Sequence, residues 1–468
     1  LLILGALPLR AQDLDVVGVW LSPDWLFPGT RQYTEEAVRA EARRTVRHLS
    51  GLGVNAIFLE TWLRGYSIAS AVETQGFQTR PLPYQGERGL PLYRHLSWPF
   101  RTTGNEVQDT LQIFIDEART EGIQVHAWVH CFYWKMDNTP AMLPWHSGLS
   151  MWNDLMATWL RREADRLQGS PGAAPATLAL MREAAALYDR TNEDRELEKI
   201  LERYRIAHDH HPMGALLTQA LRAGATPPDF LLVSDIEDPF PAPRNKALRP
   251  VFLNPENPEV QRRLRRVVRE LVKGHPGLAG IHLDHVRYPV DGQGLPPELG
   301  IQSGSYNYYS SANPVLLQKY HACKAVLAHR EQVLTDLVAQ LRQELPRRYS
   351  LSAAVLPLYY RERDNGRFRL SGYDFACQDW YRWDIDFVVP MMYEFHPYVI
   401  RGLMKMWAAD MEQLYGRQTI AVYPGVSRWQ MARSGLLDVH TWVFFDLTLA
   451  RDVKIENEVE DLNFGEVE

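Results

Sequence analysis

The stretch PEVQRRLRRVVRELVKGHPGLAGIHLDHVRYP, residues 258–289, joins the two signals from which the fold is read. Asn257-Pro258 opens a helical pattern that closes at Gly274, and GIHLD, Gly280 to Asp284, is a short apolar run that reads as a strand. Seven further runs read the same way. They are Val16 to Ser22, Asn55 to Thr61, Gln124 to His130, Ser350 to Leu356, Phe387 to Tyr393, Thr419 to Tyr423 and Thr441 to Asp446. Helical patterns separate them, among them Thr34 to Ser50, EVQDTLQIFIDEARTEG ending at Gly122, Pro314 to Leu345, Tyr398 to Tyr415 and Ser427 to Leu437. Eight strands alternating with helices indicate an α/β fold, a (β/α)8 TIM barrel. A doubly wound open sheet is the alternative, but the glycine-rich first turn that usually marks its ligand site is absent after Ser22.

One connection is too long for a single crossover helix. Between the third and fourth strands lie residues 135–278, and within them TLALMREAAALYDR and ELEKILERYRIAHDH have helical spacing. The expected organisation is therefore a leader remnant at 1–12, the first part of the barrel at 13–134, a helical insertion and crossover at 135–278, the second part at 279–450, and an acidic tail at 451–468. The leader reading rests on LLILGALPLRAQ, whose apolar run ends at a small residue as a cleavage site does, and it implies export to the periplasm or medium. The alternative for that segment is a buried first strand. Nothing later reaches the ~18 apolar residues of a membrane span.

Of the 468 residues, 46% are hydrophobic, enough for a large core. The 51 Lys and Arg against 57 Asp and Glu give a net charge of -6 without a basic run, which argues against nucleic acid as a partner. Cys131, Cys323 and Cys377 are odd in number and widely spaced, so they define neither a disulfide framework nor a zinc site. The 14 Trp suit either a large aromatic core or a surface that stacks on flat ligands.

A barrel of this kind carries its chemistry at the carboxyl ends of the strands. Those ends supply Glu60, Trp62 and Arg64; His126 and His130; His282, Asp284, Arg287 and Tyr288; Tyr393 and Glu394; and Asp446. His126, Trp128 and His130 share one strand face by the period of two, as do His282 and Asp284. A carboxylate beside a cation stays ionised, which fits Asp284 as nucleophile, base or stabiliser of positive charge at an anomeric carbon; the alternative is a structural ion pair with Arg287 or a helix cap. Glu394 is the expected proton donor, or else it bonds a loop. Trp25, Trp62, Trp134 and Trp429 fall just after strands, where they suit sugar-stacking platforms, whereas Trp380 and Trp383 read as core. A metal reading through the histidines is weak from this pattern, because His126 and His130 lie about 13 Å apart along a strand.

Several of these motifs together resemble glycosyl-hydrolase-like family 10 of bacterial envelope and secreted proteins. They are GVW at Gly18 to Trp20, ETWLRGYS at Glu60 to Ser67, FLNPENPEV at Phe252 to Val260, GIHLDHVRYP, LSAAVLP at Leu351 to Pro357 and QDWYRWDIDFVVPMMY at Gln378 to Tyr393. The resemblance implies a TIM-barrel glycoside hydrolase, with some relatives acting on peptidoglycan strands, and it maps the family's Asp and Arg onto Asp284 and Arg287. His285 stands where the family has Tyr, and the helical insertion is atypical of it.

The expected protein is an exported enzyme cutting a polysaccharide or glycan strand with Asp284 and Glu394. Glu60, Trp62, Arg64, His130, His282, Arg287, Tyr288, Tyr393, Trp25, Trp134 and Asp446 would bind substrate. Two-carboxylate chemistry requires no cofactor. A non-catalytic carbohydrate-binding or scaffold barrel, and a metal-dependent hydrolase, are the competing classes.

Overall fold

In the computed structural model of the chain, Gly280–Asp284 is a wholly buried strand inside a parallel sheet. The structure describes residues 16–22, 35–63, 65–69, 109–136, 150–190, 194–206, 212–232, 250–288, 314–357, 376–392, 397–415, 420–426 and 442–444. The main sheet contains β1 (Val17–Leu21), β2 (Ala56–Leu63), β3 (Gln124–His130), β4 (Gly280–Asp284), β5 (Ser350–Val355), β6 (Phe387–Pro390), β7 (Ala421–Val422), β8 (Gly425–Val426) and β9 (Trp442–Phe444). Their spatial order is β7-β6-β5-β4-β3-β2-β1-β9-β8, and every pair along it is parallel. Parallel neighbours need crossovers, which α1 (Glu35–Gly51), α2 (Thr110–Thr120), α7 (Pro258–Gly274), α8 (Pro314–Glu344) and α9 (Pro397–Tyr415) supply.

The sheet curls strongly. Strands β1 and β4 are three pairings apart, about 14 Å in a flat sheet, yet Trp20 Nε1 on β1 donates to His282 Nε2 on β4 over 3.0 Å. Strands β7 and β8 are separated in sequence by Tyr423 and Pro424, so the two ends of the path lie in one stretch of chain. Alternation along the strands then makes two cores. Trp20, Phe58, Trp128, Ala354, Phe387 and Tyr423 pack together on one face, while Val19, Ile57, Leu59, Val129, Ile281 and Leu283 belong to the core that the helices cover.

The sequence reading of β3 and β4 matches residue for residue, and β1, β2 and β5 differ by one or two residues at their ends. Helix α7 starts as its sequence dictates: Asn257 Oδ1 accepts from the backbone N–H groups of Glu259 and Val260, and Pro258 occupies the first turn, where no N–H is needed. The sixth strand ends at Pro390 rather than Tyr393, and the seventh is shortened to Ala421–Val422 with a second segment at Gly425–Val426. Pro424, lacking an N–H, stands between the two segments.

Between β3 and β4 lie the helices α3 (Asn153–Arg166), α4 (Pro175–Tyr188), α5 (Asp194–Arg203) and α6 (Pro212–Arg222), which pack on one another. They are anchored to α7 by Arg263, whose guanidinium donates to both carboxylate oxygens of Asp154 at 2.8 Å and to the carbonyl of Met151. Among the described residues no helix is long and apolar enough to cross a membrane. The leader at 1–12, the pattern Ser427 to Leu437 and the acidic tail lie outside the described residues.

Candidate active site

Parallel register puts the ends of four consecutive strands side by side. Leu21 lies opposite Leu59, Glu60 opposite Trp128, and His130 opposite Asp284. Ser22, Glu60, His130 and Asp284 therefore converge without any long loop. Asp284 Oδ2 accepts from Trp128 Nε1 at 3.0 Å, and Oδ1 accepts from the His285 backbone N–H at 2.6 Å. His130 joins the two carboxylates: its Nε2 is 2.9 Å from Glu60 Oε1, and its Nδ1 is 3.7 Å from Asp284 Oδ2. Ser22 Oγ donates to the other oxygen of Glu60 at 2.6 Å.

Asp284 is buried, which pushes its carboxyl pKa up, but the His285 and His130 imidazoles and the His285 N–H outweigh burial and hold it at about 2. It is a carboxylate at neutral pH. Beneath it, His282 is held the other way. Burial brings its imidazole down to about 3, so it is neutral. Because Trp20 donates to its Nε2, the proton sits on Nδ1, which faces Ser352 Oγ at 2.9 Å. His126, one layer further down, is likewise lowered to about 4 by burial, with Ser350 Oγ 3.2 Å from its Nδ1.

His285 is the residue that strand periodicity hides. Alternation aims it away from Asp284, but its φ of 49° turns the chain at the strand end and brings its ring back to the cluster. There its Nδ1 is 2.9 Å from His130 Nδ1 and 3.4 Å from Asp284 Oδ1. Tyr133 stacks on the ring at 4.8 Å with an interplanar angle of 24°. The departure from Tyr at this position was the only signal in the sequence. Trp128 and Ser22 were equally unannounced, although Trp128 shares the His126 and His130 face.

Four residues expected to meet substrate are buried instead. Trp62 and Trp134 are not stacking platforms at a rim, since both rings are fully buried. The reason for Trp62 is a register shift between Glu60 and Trp62, which places it opposite outward-facing Val129 instead of on the face of Glu60. Trp134 packs near Phe230, ring centroids 6.4 Å apart. Tyr288 is also fully buried; its hydroxyl donates to Glu256 Oε1 at 3.1 Å and its ring carries the Arg330 guanidinium at 4.4 Å, so it braces the wall. His282, expected to bind substrate, is fully buried, with its ring held between Trp20 and Ser352.

Arg287 is half-buried with its guanidinium over the Phe252 ring at 5.4 Å. Trp380 and Trp383 are buried, as expected of core residues. Trp25, Arg64, Tyr393, Glu394, Trp429 and Asp446 lie outside the described residues.

No protein family matches the chain, so its likeness to glycosyl-hydrolase-like family 10 stays a likeness of motifs. No curated protein matches it either. Among solved structures, it is similar to the PgaB (BpsB) glycoside hydrolase domain from Bordetella bronchiseptica, at 12% identity over 95% of this chain and 98% of that one, with a TM-score of 0.46. It is also similar to trehalose-6-phosphate hydrolase from Bacillus licheniformis, at 11% identity over 96% and 69% of the two chains, TM-score 0.37. A third is the GH20 exo β-N-acetylglucosaminidase from Vibrio harveyi, at 10% identity over 89% and 41%, TM-score 0.36.

Proposed function

We propose that the protein is a glycoside hydrolase that cleaves O-glycosidic bonds in a polysaccharide or glycan strand, with Asp284 as the carboxylate that meets positive charge at the anomeric carbon. The observation that carries this reading is a buried, ionised Asp284 at the carboxyl end of β4, its two oxygens fixed by Trp128 and the His285 N–H. A fixed carboxylate in a site of low polarity stabilises an oxocarbenium-like transition state without reorganising. Glu60, across His130 from Asp284, is the second carboxylate within the cluster. Glu394 keeps the role of proton donor expected from the sequence.

The same proposal includes the scaffold, a closed (β/α)8 barrel whose ends join through residues 421–426 and whose helical insertion follows β3. Export, expected from residues 1–12, belongs with it.

The test is release of reducing ends from a panel of soluble polysaccharides and peptidoglycan strands. Wild type is expected to cut at least one, Asp284→Asn to lose at least about a thousandfold, and Glu394→Gln to lose activity that a substrate with a good leaving group restores. Cleavage undiminished in Asp284→Asn removes the assignment. A panel that is bound but nowhere cut points to the carbohydrate-binding class.

A further inference from the structure

We propose that His130, His285 and Asp284 form a binding site for one divalent cation of the Zn²⁺ type. This goes beyond the glycosidase reading and rests on the geometry of the cluster alone. The sequence disfavoured a metal because the histidine pair it offered lies along one strand. The fold supplies a different pair, from the ends of two adjacent strands, with a carboxylate between them.

Four observations support it. Ligand atoms about 2.0–2.1 Å from a tetrahedral Zn²⁺ lie about 3.3 Å from one another. The separations here straddle that value: 2.9 Å between the two Nδ1 atoms, 3.4 Å from His285 Nδ1 to Asp284 Oδ1, and 3.7 Å from His130 Nδ1 to Asp284 Oδ2. Among the described residues this is the one group of three such side chains whose ligand atoms all lie within 4.8 Å of each other. The outer contacts are those that hold metal ligands in place. Glu60 Oε1 lies 2.9 Å from His130 Nε2 and so holds the ring with Nδ1 turned towards the cluster, and Ser22 fixes Glu60 in turn. Finally, His285 reaches the group only through a left-handed backbone, a conformation that is strained for a non-glycine residue and that clusters at functional sites.

Two imidazoles and one carboxylate match a borderline-soft cation rather than Mg²⁺ or Ca²⁺, which take oxygen ligands. Three protein ligands leave a coordination position for water or for a sugar hydroxyl.

The experiment uses the full chain without a histidine tag, stripped with a chelator and dialysed against Zn²⁺ or Co²⁺. Wild type is expected to retain about one metal per chain by elemental analysis and to give the visible absorption of four-coordinate Co²⁺. His285→Ala and Asp284→Asn should each weaken binding at least about tenfold, and Glu60→Gln by about 10- to 100-fold. His285 is partly exposed, so His285→Ala should keep the wild-type melting profile and separate lost ligation from lost folding. Retention of less than about a tenth of an equivalent by wild type, or a loss under tenfold in His285→Ala, overturns the site. Because no glycan is present, such a failure leaves the glycosidase reading to its own test.

Discussion

Asp284 and His126 lie at the two ends of a polar column inside the curled sheet, and each responds to burial differently. Asp284 keeps its charge because N–H donors and imidazoles surround it. Trp128→Phe removes the donor to Oδ2 while preserving an aromatic ring beside Trp20. A hydrogen bond to a charged group contributes about 1.5–3 kcal/mol, so glycan cleavage should fall about tenfold or more in kcat/KM with the fold intact. Around His126, besides the Ser350 hydroxyl and neutral His282, lie aromatic rings. The Phe58 and Phe387 rings lie 5.0 and 6.0 Å from it, and its pKa of about 4 sits below the ordinary 6.5. As pH falls, the unfolded chain takes up the proton first. Stability present above pH 6.5 is therefore lost progressively towards pH 4, by on the order of 3 kcal/mol. Urea unfolding of wild type and His126→Asn at several pH values should show their stability difference narrowing over that window; a constant difference would remove His126 as the cause.

At the level of elements, β4 depends on a residue with no side chain. Gly280 is paired with Ser350 on β5, and a Cβ at Gly280 would strike the Ser350 carbonyl and hydroxyl and lie 2.9 Å from the carbonyl carbon. Backbone does not yield as a flexible side chain would. Gly280→Ala is expected to cost about 2–3 kcal/mol in urea unfolding, in the range of overpacked cores. Gly402, exposed on α9 with nothing near its Cβ position, is the contrasting case. Gly402→Ala should stabilise by up to about 1 kcal/mol, because alanine loses less backbone entropy in a helix.

For the whole molecule, one of the contacts between the helices that follow β3 and the sheet scaffold is made by a buried arginine. Arg263 on α7 is nine-tenths buried and binds Glu259 on its own helix, Asp154 on α3 and the Met151 carbonyl. Arg263→Met keeps length and apolar packing while removing this donor from Asp154 and the Met151 carbonyl; Glu259 keeps Arg262. A loss of about 2 kcal/mol is expected, together with faster hydrogen exchange in residues 150–166 than in β3 or β4. Equal exchange throughout would mean that these helices are held by their other contacts.

The sequence by itself located the first five strands to within one or two residues, because apolar runs and the capping residues around α7 act over a few neighbours, but not the early end of β6 or the break between β7 and β8. It also named Asp284, Glu60 and His130, since a polar residue at the end of an apolar strand is visible in one dimension. Only tertiary structure decided which of these meet. Register placed His130 opposite Asp284, a shift after Glu60 turned Trp62 from the expected cleft into the core, and a positive φ returned His285 to the cluster. Each depends on the pairing of distant strands or on one dihedral angle, and neither leaves a period in the sequence.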